Sequence, residues 1–449
     1  MTQRLSRDVL AQLAPSVHRP DYDRDAKACG IVHVGIGAFH RAHQAVYTDD
    51  AMNGGDGNWC ITGVSLRSPD VHDQLAPQDG LYTLNERGPN AAAPRLIGAV
   101  RRVLVAPRDP SAVVDAMADP GVHIVTLTVT EKGYLARGEG SLYDYIGKAL
   151  ARRRSQGSGG LTLISCDNLP HNGERFSAAL GEYLESLDAD TARWFQTECA
   201  CPSTMVDRIV PMTTDTDRAD VARTIGVRDE AAVVTEHFHQ WVIEDRFAGP
   251  RPRWEAGGAQ FVRDVRAYEA AKLRMLNGAH SALAYLGLAR GHEYVHQAIA
   301  DPQIAPLIAR LMREEAVPTL PSVDMDLLRY ADALIERFTN AALPHRLRQI
   351  AMDGSQKIPQ RWLATLDWHS RRNQRCPALI TALAAWIDYV RGEGRLVDDP
   401  MADALAALWA SEGRGGIARA LFGPQGRFEA SWVAPEVDLQ ALTGLLDSD

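Results

Sequence analysis

The chain has 449 residues, 45% hydrophobic and 23% charged, the balance of a globular protein long enough for two or three domains with their own cores. A formal net charge of −9 with no basic block excludes nucleic acid as the main partner, because phosphate binding needs clustered Lys and Arg. No run of 18 apolar residues is present to span a membrane, and the opening Met-Thr-Gln-Arg-Leu-Ser-Arg-Asp lacks the apolar core of a signal peptide. Six cysteines, at 29, 60, 166, 199, 201 and 376, show no framework spacing, so reduced thiols in the cytoplasm are the simplest reading.

Residues 30–37, Gly-Ile-Val-His-Val-Gly-Ile-Gly, give a β-branched run that ends in a Gly-x-Gly turn, and Ala38 to Met52 then reads as a helix. Further strands are expected at 58–66, 123–130 and 160–166, with helical patterns between them at 142–156 and 174–187. Strands alternating with helices imply α/β architecture with a parallel sheet. After a charged, turn-rich passage at 213–220, Val233 to Val242 alternates in strand fashion. From about residue 265 helical periodicity dominates, through 266–290, 292–299, 303–315, 325–340, 345–353, 376–392 and 400–411. The expectation is a Rossmann-type dinucleotide-binding domain at 1–265 followed by a mostly α-helical domain at 266–449.

Gly35 and Gly37 follow a strand and open a helix, as a dinucleotide turn requires, letting a pyrophosphate approach backbone N–H groups. The third glycine position holds His40. The second strand ends Ser65-Leu66-Arg67-Ser68-Pro69-Asp70, without an acid at its tip for a ribose hydroxyl, and Arg67 there suits a 2′-phosphate. NAD is the expected cofactor, with NADP left open. Phe39, within the turn, and Glu131, ending the third strand, are further cofactor-side candidates. His40 and His43 divide between lining the turn and packing.

Residues 272–281, Lys-Leu-Arg-Met-Leu-Asn-Gly-Ala-His-Ser, set Lys272, Asn277 and His280 among apolar neighbours. At about 100° per residue, Asn277 lies about 140° round from Lys272, His280 about 80° and Glu269 about 60°. All four therefore share a little over a third of the helix circumference. Such a stripe needs partners, whether protein, water or substrate, since unpaired buried polar groups are costly.

Six blocks in chain order resemble the mannitol dehydrogenase family of long-chain polyol and hexonate dehydrogenases. They are Gly-Ile-Gly-Ala-Phe-His-Arg-Ala-His-Gln at 35–44, Thr-Val-Thr-Glu-Lys-Gly-Tyr at 128–134, Ser-Cys-Asp-Asn-Leu-Pro at 165–170, Met-Val-Asp-Arg-Ile-Val-Pro at 205–211, the 272–281 segment, and Asp-Gly-Ser-Gln-Lys-Ile-Pro-Gln-Arg at 353–361. The resemblance implies metal-independent hydride transfer between a secondary alcohol and a nicotinamide. It places the family's general base on Lys272, its paired asparagines on Asn168 and Asn277, its histidine on His280 and its proton-relaying glutamate on Glu269. Two carboxamides can donate to a developing alkoxide, so no zinc is called for. Asp207 is a candidate substrate contact, or alternatively the cap of a turn.

Substrate choice turns on the far end of the sugar, where mannonate carries a carboxylate and a polyol a hydroxymethyl group. A carboxylate favours a cation, and Lys357 and Arg361 sit in a Lys-Ile-Pro-Gln-Arg stretch that looks like the fructuronate reductase branch. The expected partner is a small sugar acid or polyol, and the expected assembly a monomer or small homo-oligomer. Two other classes are separable. His292-Glu293-Tyr294-Val295-His296 satisfies the pattern of zinc metalloproteases when carried on a helix. A non-catalytic nucleotide sensor would bind cofactor without turnover.

Overall fold

The computed structural model describes residues 3–447 apart from Asn90, Val323 and 393–395, and the side chains of residues 130–132 also lie outside the described residues. Chain contacts divide it into two compact units, Met1–Arg266 and Ala267–Asp449.

β-branched runs bounded by Gly, Asn and Asp build the strands of the first unit. In chain order these are Cys29–Val34 (β1), Cys60–Ser65 (β2), Tyr82–Glu86 (β3), Arg95–Ile97 (β4), Val100–Val105 (β5), Ile124–Leu127 (β6), Thr162–Ser165 (β7), Thr204–Asp207 (β8), Val233–Thr235 (β9), Gln240–Glu244 (β10) and Gln260–Val262 (β11). The main sheet runs β5-β2-β1-β6-β7 and is parallel throughout. From β1 the chain goes to β2 on one side and later returns to β6 on the other. The junction of β1 and β6 is therefore the switch point, where Val32 pairs Thr62 on one flank and Val125 on the other. Its strands are buried on both faces, which explains their unbroken apolar runs. One face packs the cluster of Ile31, Tyr47, Ile61 and Trp241, and the other that of Val32, Val125, Leu163 and Phe176.

Two smaller sheets, β11-β10-β8 and β4-β3-β9, complete the unit. The expected strand over 233–242 divides between them, β9 joining β3 and β10 joining β8. Polar Glu236, His237 and His239 mark the crossing. The expected helix at 38–52 likewise breaks, at His43, into Ala38–Ala42 and Gln44–Asn53. The unit is closed by its own beginning: Leu5, Val9, Leu13 and Val17 pack with Val221, Ile225, Val227 and Ala232. Leu5 N–H donates to Arg228 O, and Arg228 N–H to Gln3 O, both at 2.8 Å.

The second unit is helical among the described residues, with only an isolated bridge between Tyr294 and Arg346. Its helices follow the expected segments and add Gly354–Ile358, Ala364–Ser370 and Glu436–Asp447, while Ala402–Phe422 is broken at Gly413, φ +60°, just past the end of the expected 400–411 helix, and a further helix follows the break. Three stretches widen to π-helical turns: Lys272–Asn277, Leu311–Ala316 and Pro359–Leu363. No described helix is long and apolar enough to cross a membrane.

Candidate active site

The turn after β1 is fixed by backbone geometry. Gly35 has φ +93°, and a Cβ built there would lie 2.0 Å from Thr128 O, so only glycine fits. Its N–H donates to Val64 O at 2.9 Å and its carbonyl accepts from Thr128 Oγ1 at 2.7 Å, tying the turn to both neighbouring strands at the switch point. At Gly37 an added Cβ would meet only Gly35 O, at 3.8 Å. That open side is what a pyrophosphate needs to approach the backbone. The helix that follows has only five residues, so the N–H groups themselves, more than a helix dipole, would do the holding.

His40, in place of a third glycine, is fully buried and stacks on His33 with ring centroids 3.3 Å apart. His33 Nδ1 lies 2.7 Å from Thr126 Oγ1 and its Nε2 2.9 Å from Thr128 Oγ1. His43 Nε2 sits 2.8 Å from Gln240 O, and Phe39 stacks on His43 while packing against the core. Burial pushes His33 and His43 each down to about 3, so both rings are neutral. These histidines support the turn from beneath. Arg67 is exposed, two residues past the end of β2. Glu131 does not end the strand as expected, since β6 stops at Leu127; it is second in a short helix, Thr130–Leu135, and its side chain lies outside the described residues.

Asn168 is exposed on the turn that follows β7. Beside it, Asp167 accepts from Val129 N–H at 3.0 Å and from the Tyr134 hydroxyl at 2.6 Å. Asn172 clamps the other side, donating to Asp167 O and Thr204 O and accepting from Thr204 N–H. The turn that presents Asn168 is thereby joined to β8, whose last residue is the buried Asp207. Neighbouring Arg208 is also buried. Its guanidinium reaches Glu86 at 2.9 Å and the carbonyls of Ala42 and Glu236. Sequence reasoning missed Asp167, Tyr134 and Asn172, although the first two lie inside matching blocks.

In the second unit one unbroken helical run carries Glu269 on Arg266–Ala271, Lys272 and Asn277 at the two ends of the π turn, and His280 on Gly278–Ala289. All four are half-buried, while Ala271, Met275, Leu276, Gly278 and Ala279 are buried. The 140° separation of Lys272 and Asn277 belongs to a regular α-helix. In a π turn the bonds run five residues apart, so residues 272 and 277 share one face as i and i+4 do in an α-helix. The structure thus brings the lysine and the carboxamide closer in angle than the sequence spacing allows. His280 is flanked by Phe338 and His345, ring centroids 4.8 and 5.5 Å away.

Lys357 and Arg361 lie on the segment Gly354–Leu363. Lys357 Nζ donates to Met352 O at 2.5 Å, and burial followed by the nearby Arg361 holds its pKa below the usual lysine range. Arg361 Nη1 donates to Ser281 Oγ at 2.7 Å and Asn277 O at 3.3 Å. His292 and Glu293 precede the short helix Val295–Ala300, so the two histidines of the metalloprotease pattern do not share a helix face. His292 Nε2 instead faces Asp301 at 2.9 Å, and His296 stacks on Tyr294.

A glycine turn at the switch point of a parallel sheet, followed by a separate helical unit, defines a Rossmann-type dinucleotide-binding class with a helical second domain. Residues 29–256 match the mannitol dehydrogenase Rossmann domain, and residues 264–422 the mannitol dehydrogenase C-terminal domain. The chain belongs to the mannitol dehydrogenase family. It is 41% identical to the uncharacterized oxidoreductase YeiQ of Escherichia coli over 88% of this chain and 86% of that one. It is 38% identical to the D-mannonate oxidoreductase of the same organism, over 92% and 91%. The structure of Pseudomonas fluorescens mannitol 2-dehydrogenase, a ternary complex with NAD and D-mannitol, matches with a TM-score of 0.81 at 35% identity, over 99% of this chain and 96% of that one.

Proposed function

We propose that this protein is an NAD-dependent oxidoreductase that interconverts a sugar-derived secondary alcohol and its ketone without a metal, with D-mannonate and D-fructuronate as the pair. The observation that carries the reading is the π turn that sets Lys272 and Asn277 on one face of a half-buried helix. Gly35 and Gly37, with Phe39 and Glu131, would hold NAD, which would supply the hydride acceptor. NADP stays in play through Arg67.

Lys272 Nζ takes the hydroxyl proton as the alcohol is oxidised. Asn168 and Asn277 each offer a carboxamide N–H to the oxygen as it gains negative charge, the role the family resemblance gives them. Glu269, less than one turn before Lys272, passes the proton toward solvent. His280, backed by Phe338 and His345, orients the sugar. Asp207 accepts from a sugar hydroxyl. Lys357, half-buried and cationic, is offered to the carboxylate at the far end. The choice of the acid sugar rests on the cation at Lys357, since relatives named for D-mannonate and for mannitol are alike 38% identical to this chain. Six unpaired cysteines suit a cytoplasmic setting.

The test follows NADH and NADPH oxidation by purified protein offered D-fructuronate, D-fructose and a pentulose, with and without chelator. Chelator-resistant turnover of fructuronate alone is expected. Turnover of fructose instead would place the enzyme among polyol dehydrogenases and leave Lys357 without a carboxylate. Cofactor binding without turnover on any sugar would point to a sensor.

A further inference from the structure

Two of the three π-helical turns carry residues singled out from the sequence, and the Lys272–Asn277 turn packs against both of the others. A π turn is rare and is kept only where its surroundings over-determine it. The holding contacts here are specific. At the point where the wide turn hands over to the α-helix Gly278–Ala289, the carbonyls of Asn277 and Gly278 both accept side-chain donors from the Pro359–Leu363 turn. Arg361 Nη1 reaches Asn277 O at 3.3 Å and Ser281 Oγ at 2.7 Å, and the fully buried Trp362 donates from Nε1 to Gly278 O at 3.0 Å. From another side Arg274, inside the turn, donates from Nη1 to Thr319 O and Oγ1, each at 2.7 Å. Thr319 closes the segment that follows the Leu311–Ala316 turn.

We infer that Arg361 is a positioning residue: with Trp362 it locks the wide turn that presents Lys272 and Asn277 on one face. The inference rests on the proposed roles of those two groups. Both N–H bonds of Nη1 are committed to protein oxygens, so this end of the guanidinium is unavailable for a bidentate carboxylate. Losing the lock lets the helix relax toward regular α geometry, which swings Asn277 away from Lys272. A side chain that recognised the substrate's carboxylate would act on KM for acid sugars alone. One that holds the turn acts on kcat for any sugar the enzyme uses.

The test compares Arg361→Ala, Arg361→Lys and Ser281→Ala with the unaltered full chain, using whichever of D-fructuronate and D-fructose it turns over. Arg361→Ala is expected to lower kcat about 100-fold, the cost of a small misplacement of reacting groups, with KM nearly unchanged. NADH affinity should hold, free guanidinium should restore part of the rate, and amide hydrogen exchange across 272–281 should speed up. Ser281→Ala, which removes only the 2.7 Å acceptor, should show the same pattern more weakly, and serves where Arg361→Ala does not fold. A rise in KM for fructuronate with kcat retained would overturn the inference and make Arg361 a carboxylate contact. Unchanged exchange over 272–281 in all three variants would overturn it as well. Lys272→Ala is measured alongside. If that variant keeps turnover, the base assignment fails whatever Arg361 does. If it is dead while Arg361→Ala keeps its kcat, only the lock fails.

Discussion

The turn at Gly35–Gly37 and the turn at Lys272–Asn277 are built from opposite materials. The first is held by backbone: a positive φ, a carbonyl 2.0 Å from where a side chain would begin, and bonds to the strands on either side. The second is held by side chains: Arg361 and Trp362 reach it from elsewhere in its unit, and its own Arg274 reaches out to Thr319. A backbone-held turn restricts the residue types it can contain and so leaves a mark in its own sequence. A side-chain-held turn leaves its mark in distant residues.

The contrast breaks most visibly in function. Lys272→Ala should lower kcat by about 10²–10⁴-fold, the usual worth of a general base, while NADH titration shows unaltered cofactor affinity. Loss of both together would mean the two turns are not separable. Gly35→Ala should do the reverse. Forcing a Cβ against Thr128 O at φ +93° costs on the order of 1–3 kcal/mol or more in strain alone, and cofactor binding should weaken with it. Thermal unfolding and NADH titration of that variant check both, and a fully stable, NADH-binding Gly35→Ala would refute the backbone account.

The pH dependence sharpens the difference further. His33 and His43, in the first unit, titrate at about 3 when folded because burial disfavours the charged ring, against about 6.5 unfolded. Between those values the unfolded chain binds more protons, so stability is full above about pH 6.5 and falls as the pH drops toward 3. The expected loss is of the order of a few kcal/mol per ring. His33→Asn should flatten the slope of urea stability against pH over that window, and an unchanged slope would show that the ring does not report on acid unfolding. The smallest effect is expected at the exposed Arg67. Arg67→Ala should weaken NADPH by about 1 kcal/mol or less relative to NADH, and equal loss for both cofactors would remove the 2′-phosphate from consideration.

How far the sequence could be read follows the same division. The β-branched run into Gly35, the alternation of strands and helices, and the polar stripe over 269–280 are local patterns, and each appears in the structure where it was expected. The π turn does not announce itself, because residues 275, 276, 278, 279 and 281–287 are buried round most of the helix, and a shift in phase leaves no visible break in so apolar a segment. The split of 233–242 between two sheets depends on partners β3 and β8, which are distant in the chain. Arg361 is read from the sequence as a cation for a substrate, and its bonds to Asn277 O and Ser281 Oγ, about 80 residues away, have no local pattern to reveal them. His40 looked like a flaw in the glycine pattern, and its explanation is His33, a stacking partner on the preceding strand.

The N-terminal segment has a consequence for how the chain matures. Leu5, Val9, Leu13 and Val17 are made about 200 residues before their partners Val221, Ile225, Val227 and Ala232, a long-range closure of the kind that slows folding. Until those partners are made, the nascent chain carries an unmatched apolar stripe. A folding helper would find a client surface there, and polar substitutions in this stripe would slow assembly of the nucleotide unit sooner than they would disturb the helical one.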